Sequence, residues 1–156
     1  MSNDGHAGFE LPLLLFAGFR AIIDELHAEL ARRGHPDLRP AHGFAMQAIG
    51  IGGTTATEAG RRLGVSKQAA GKTIDRLAEL GYVQRLDDTA DRRRKLVRLT
   101  PRGIEALTLS AFIFGQIRDR WAAELGAARL ADLEASLATM APGEMFRLDV
   151  PGWFGG

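Results

Sequence analysis

The chain contains no cysteine. That single absence removes disulfides, thiolate metal sites, a cysteine nucleophile and a thiol-based redox switch. No apolar run approaches the roughly 18 residues expected of a membrane span. The stretch 11–16 is apolar but short, with Pro12 inside it. Residues 1–8 show no basic segment leading into an apolar one, so no signal peptide is expected. Internal repeats and low-complexity blocks are also missing. No Ser/His/Asp set, phosphate loop or facing pair of carboxylates stands out, and adjacent Asp24 and Glu25 point in different directions on a helix. His27, His35 and His42 are spaced wrongly for a helical metal pair. These absences argue against an enzyme, a cofactor and a metal, and they fit a soluble cytoplasmic protein.

What is present is 156 residues, 46% of them hydrophobic, enough for one compact domain or a small domain with a dimerisation arm. The formal net charge of +1 conceals a partition. Residues 61–102 hold twelve Lys/Arg against five Asp/Glu, whereas the remainder holds eight against fourteen. A middle of +7 between ends totalling −6 suggests one surface for a polyanion and others that avoid it.

Hydrophobic periodicity sets the elements. Leu15, Phe19, Ile22, Leu26 and Leu30 recur at helical spacing, which predicts a helix over 9–33. Leu13, Leu14, Phe16 and Ile23 widen its stripe beyond what one contact needs. Gly34, Pro36 and Pro40 break the chain before a short helix over 41–50. Thr55, three residues ahead of Glu58, predicts a reciprocal capping box for a helix ending at Leu63 and Gly64. Ser66 is then a suitable N-cap for a helix over 67–80, with Ala70, Ile74, Leu77 and Leu80 inward and Lys67, Gln68, Gly71, Lys72 and Asp75 largely outward. Residues 82–86 and 95–99 read as two strands around a charged hairpin loop. Thr100 and Pro101 open a helix over 101–125 that is apolar on two sides, as a helix with two partners would be. A last helix is expected over 128–139.

Two short helices around a tight turn, followed by a two-stranded ribbon, make a helix–turn–helix with a wing. Such a second helix enters the DNA major groove, where base edges carry a distinguishable donor and acceptor pattern. Its outward N-terminal residues are Ser66, Lys67, Gln68, Gly71, Lys72 and Thr73. Gln68 suits an adenine edge, Lys67 and Lys72 suit guanine or phosphate, and Gly71 permits close approach. At the ribbon tip, Arg92, Arg93, Arg94 and Lys95 can reach phosphates or the adjacent minor groove.

The same stretch resembles the MarR family of bacterial transcriptional regulators. The resemblance is carried by Leu63-Gly64-Val65-Ser66, by Asp75-Arg76-Leu77 before Leu80-Gly81-Tyr82-Val83-Gln84-Arg85, by Asp91-Arg92-Arg93, and by Leu99-Thr100-Pro101-Arg102-Gly103, in order and at the family's spacing. It implies a mainly α fold with a small β-hairpin wing: a winged helix–turn–helix domain over 41–101, an N-terminal dimerisation helix within 1–40, and C-terminal dimerisation helices and a tail over 102–156. It further implies a homodimer that binds a palindromic operator on double-stranded DNA as a repressor, released by a small, often aromatic, effector. Asp91 matches an acid that holds a wing arginine. Phe16, Phe19, Arg20, His42 and Met46 are candidate effector contacts, because the first two helices meet there in this fold. Phe112, Phe114 and Trp121 read as dimer core. Ala59 and Gly60 depart from the family's usual leucine and alanine, and glycine there either loosens the helix, at about 1 kcal/mol relative to alanine, or leaves room for a neighbour. Two other readings compete: an architectural DNA binder without an effector, and a protein-interaction module built on a winged helix.

Overall fold

The computed structural model describes residues 7–91, 93–141 and 143. Along the chain run α1 (Ala7–Arg32), α2 (Pro40–Ile49), β1 (Thr54–Thr55), α3 (Ala56–Leu63), α4 (Lys67–Glu79), β2 (Val83–Asp87), β3 (Lys95–Leu99), α5 (Pro101–Leu125) and α6 (Ala127–Met140). The fold is mainly helical with a small antiparallel sheet, as the sequence predicts. None of the described helices is long and apolar enough to cross a membrane. The tail that includes Trp153 and Phe154 lies outside the described residues.

Local chemistry sets most boundaries. Thr55 Oγ1 accepts the Glu58 amide at 3.1 Å and Ser66 Oγ accepts the Ala69 amide at 3.0 Å, each satisfying an otherwise orphaned helix donor. Between them Gly64 adopts φ 69° and ψ 24°, the left-handed geometry that ends α3 and lets α4 begin three residues later. The departure at Gly60 has a packing reason. A Cβ there would meet the Val65 carbonyl oxygen at 3.0 Å and Ala70 Cβ at 3.4 Å, so glycine leaves room for the α3–turn–α4 contact.

Two expectations are corrected, and the packing of α5 adds a third finding. The sheet has three strands in the order β1-β3-β2, not two, with Thr54 opposite Val97 and Arg85 on the other flank of Val97. A two-residue strand has too few positions to show alternation, so β1 is visible only through its partner. The capping box at Thr55 is one-sided: Glu58 turns away to Arg61, which donates from Nε at 2.9 Å and Nη2 at 2.6 Å. On α5 the buried stripe is Gly103, Ala106, Ser110, Ile113 and Ile117, while Leu107, Phe114 and Trp121 are half-buried beside it and Ile104 and Leu125 are exposed. Small residues take the closest approach, where a count of large apolar side chains gives them no weight.

The core joins every helix except α6 to the sheet. Leu26 and Leu30 of α1 meet Met46 and Ile49 of α2, Leu63 of α3, Ile74 and Leu77 of α4, Val97 and Leu99 of β3, and Ile113 and Ile117 of α5. Tyr82, fully buried, closes its lower edge: its hydroxyl lies 2.7 Å from His35 Nδ1, and the Arg102 guanidinium sits 4.8 Å above its ring. The N-terminal half of α1 is different. Phe9, Leu11, Leu13 and Leu14 are each more than 60% exposed, and Leu15, Phe16 and Phe19 are partly exposed.

Two measurements check this packing. A Cβ at Gly103 would stand 2.2 Å from the Tyr82 carbonyl oxygen, whereas one at Gly43 of α2 meets nothing within 4 Å. In urea unfolding, Gly103→Ala is expected to cost about 1–3 kcal/mol, and Gly43→Ala to gain up to about 1 kcal/mol. Burial holds the imidazoles of His27, His35 and His42 below their usual pKa. A depressed imidazole stabilises the fold fully above the unfolded value, about 6.5, and loses that contribution as pH falls through it. The urea midpoint is therefore expected to drop between pH 7.5 and 5.5, above the range in which the depressed carboxylates of Glu25, Glu29, Glu58 and Glu134 take up protons. A flat midpoint over that interval would contradict the burial of these rings.

Candidate nucleic-acid interface

The basic residues of the middle segment converge on one face. Helix α4 presents Lys67, Gln68 and Lys72 as exposed side chains, with Gly71 and Thr73 half-covered beside them. Ser66 is exposed but its oxygen is engaged as the N-cap of α4. Thr73 Oγ1 faces the Ala69 carbonyl at 3.4 Å. A Cβ at Gly71 would meet nothing within 4 Å, so the helix surface is open there and its glycine leaves the backbone approachable.

The hairpin between β2 and β3 is organised by its own acids. Asp88 Oδ1 accepts the Ala90 amide at 2.9 Å, and Asp91 Oδ1 accepts the Arg93 amide at 3.0 Å. The Asp91 carbonyl takes the Arg94 amide at 3.0 Å, and the Asp88 amide reaches the Arg94 carbonyl at 3.2 Å. Asp91 thus braces the loop through backbone amides. Lys95 pairs across the strands with Asp87, opposite it in register. Arg93 and Arg94 are exposed. Arg92 lies outside the described residues.

Between the wing and the start of α3 runs a polar cleft of about 960 Å³. Its wall carries Arg62, Lys67, Arg85, Arg93, Arg94 and Lys95 against one acid, Glu58. Hydrogen bonds from Arg61 hold the Glu58 carboxyl down at about 2, so it stays ionised and occupied by its arginines. Arg62, Arg85 and Lys95 are paired with Glu58, Asp75 and Asp87, and with Lys67, Arg93 and Arg94 beside them the wall makes a surface suited to a phosphate backbone. Sequence reasoning missed Arg85, whose Nη2 bridges Asp75 Oδ1 at 2.7 Å and the Gly71 carbonyl at 3.3 Å. This guanidinium ties strand β2 to the outward face of α4. Nothing in a strand's two-residue period shows that one of its exposed residues lies against a helix ten positions earlier.

Among the expected effector contacts, Phe19 lines a partly open apolar cavity of about 310 Å³ between α1, α2 and α5. Helix α2 turns Gly43, Phe44 and Gln47 to that cavity, while Met46 is buried in the core and the His42 Nδ1 accepts the Arg39 amide at 3.0 Å. The expected pair, His42 and Met46, is therefore one helical step away from the wall. Phe16 lies nearly a turn before Phe19 and is largely exposed, and Arg20 is paired at 3.6 Å with Asp24 on the surface. Phe114, expected as dimer core, lines the cavity from α5.

Comparison with known proteins agrees with this geometry. A model of the MarR family matches residues 37–94. The YusO protein of Bacillus subtilis superposes with a TM-score of 0.67 at 25% identity, covering 90% of this chain and 100% of that one. A MarR variant from E. coli, complexed with operator DNA, gives 0.71 at 25% identity with the same coverage. FabT of Streptococcus pneumoniae in complex with DNA, at 17% identity, gives 0.73 over 84% of this chain and 92% of that one, a likeness of fold. No curated protein matches by sequence.

The bridge at Arg85 yields a prediction. Arg85→Ala is expected to lower the preference for specific over random DNA about tenfold in fluorescence anisotropy. Its effect on stability should stay within about 1 kcal/mol, the range of an exposed ion pair. An unchanged preference would remove Arg85 from the interface.

Proposed function

We propose that this chain, which carries the MarR-family winged helix and the fold of that family's DNA-binding transcriptional regulators, is a ligand-responsive repressor that binds a palindromic operator as a homodimer. Members of the family are transcription regulators and not enzymes. The observation that carries the reading is the cationic cleft between wing and α3, continuous with the open N-terminal face of α4. In this reading Ser66, Lys67, Gln68, Gly71, Lys72 and Thr73 meet base edges and nearby phosphates, Arg92, Arg93, Arg94 and Lys95 anchor the flank, and Asp91 keeps the loop in shape. The work is cytoplasmic, where such an operator lies.

A dimer is supported by the apolar half of α1, since a monomer rarely exposes a contiguous patch of this size. Phe112 of α5 and Leu133, Leu137 and Met140 of α6 are also uncovered. A second copy laid across α1, α5 and α6 would bury them, leaving 1–40 and 102–156 as dimer arms and 41–101 as the reading head. An effector reading is supported by the cavity's place. Its walls are the arm helices α1 and α5 on one side and α2 on the other, and α2 packs on both α3 and α4. A ligand that fits only one setting of α2 biases the head toward one orientation.

Sedimentation should give a dimer at micromolar concentration, and gel shifts should show preference for the chain's own upstream DNA over random DNA at moderate salt. Replacing Arg93 and Arg94 with alanine is expected to flatten the dependence of log affinity on log salt by roughly 0.9 for each phosphate no longer neutralised. A monomer, or equal affinity for random DNA, would end the proposal.

A further inference from the structure

The cavity between α1, α2 and α5 has a chemical signature of its own. Three phenylalanines stand on its wall: Phe19, stacked with Phe44 at 6.3 Å between ring centroids and 21° between planes, and Phe114 from the opposite helix. Its polar groups are His27, Gln47 and Ser110. None of the described lining residues is Lys, Arg, Asp or Glu. Ser110 donates its hydroxyl hydrogen to the Ala106 carbonyl at 2.7 Å, which leaves its oxygen only acceptor capacity. Among the described residues the Nδ1 of His27 is buried without a hydrogen-bond partner, and burial keeps this ring below the usual imidazole pKa, hence neutral at pH 7.

A carboxylate placed in this cavity would lose its hydration and find no cation in exchange, a loss that apolar contact does not recover. A neutral ring would keep all of the apolar and aromatic contact, with a single hydroxyl or N–H donor free to meet an uncharged acceptor on the wall. We infer that the cavity selects an uncharged, ring-containing molecule bearing one hydrogen-bond donor, and discriminates against aromatic carboxylates of the same shape. This inference names the effector class of the repressor proposed above and rests on that reading only for its regulatory consequence.

The test uses the full-length protein with 2-naphthol and 2-naphthoate, a matched neutral and anionic pair. Gly43→Leu extends a side chain into the space found empty beside Gly43, and Leu107→Phe narrows the cavity from α5. By calorimetry at pH 7.5, 2-naphthol is expected to bind at least tenfold more tightly than 2-naphthoate. Either substitution should weaken 2-naphthol at least tenfold, with helical content and operator binding retained. Binding of the carboxylate should strengthen as pH falls and its neutral form grows. Equal or tighter binding of 2-naphthoate at pH 7.5, abolished by Gly43→Leu, would overturn the inference and leave the effector reading standing. Binding of 2-naphthol that both substitutions weaken, without release of operator DNA, would support the inference and overturn the effector reading. Binding of neither molecule, or binding indifferent to both substitutions, would overturn the inference.

Discussion

The placement of the winged helix depends on Tyr82. It stands where α4 has just ended and the wing begins, and four contacts converge on it. Its hydroxyl meets His35 in the connection between α1 and α2. Its ring carries the Arg102 guanidinium, which also donates to the Gly34 carbonyl at 3.0 Å. Its carbonyl accepts the Thr100 amide at 3.0 Å and leaves room only for a glycine at 103. One fully buried phenol therefore fixes the ends of α1, α4 and β3 and the start of α5 against each other. A buried hydroxyl without a partner is costly, so His35 and Tyr82 hold each other in register. The remaining ring nitrogen of His35 has no hydrogen-bond partner among the described residues, and the Glu105 carboxylate stands 3.8 Å from it.

From that joint the two surfaces of the protein diverge. On one side, the winged helix gathers positive charge and neutralises the few acids it keeps: Glu58 by Arg61, Asp75 by Arg85, Asp87 by Lys95. On the other side α1, α5 and α6 are joined by ion pairs, Arg120 to Glu25 through two 2.6 Å contacts and Arg118 to Glu134 at 2.6 Å. These exposed pairs add little stability. The net negative charge outside residues 61–102 comes instead from the excess of acids there, fourteen against eight cations.

The sequence made the helices legible because their stops and starts rest on local chemistry. Thr55, Gly64, Ser66, Thr100 and Pro101 act within one turn of themselves, and each boundary they imply lies where the structure has it. The basic face was legible for the same reason, since Lys67, Gln68 and Lys72 are outward on any helix that buries Ala70, Ile74 and Leu77. What escaped were relations across the fold. The strand at Thr54 exists only because Val97 lies opposite, and Arg85 matters only because Gly71 and Asp75 lie within its reach. The cavity wall on α2 was off by one helical step, because a ten-residue helix with apolar residues on most sides does not say which side meets the core.

That ambiguity in α2 follows from its position. Ala45, Met46, Ala48 and Ile49 are buried in the shared core, whereas Gly43, Phe44 and Gln47 border the cavity. One short helix therefore touches both the space a small molecule would fill and the helices that carry the basic face. Coupling between sites requires an element whose setting both sites bias. Helix α2 meets the geometric half of that requirement, and Tyr82 limits the other routes by tying the wing to α5. Helix α2 thus borders the cavity and packs on α3 and α4 at once, while the Tyr82 joint ties the start of the wing to α5.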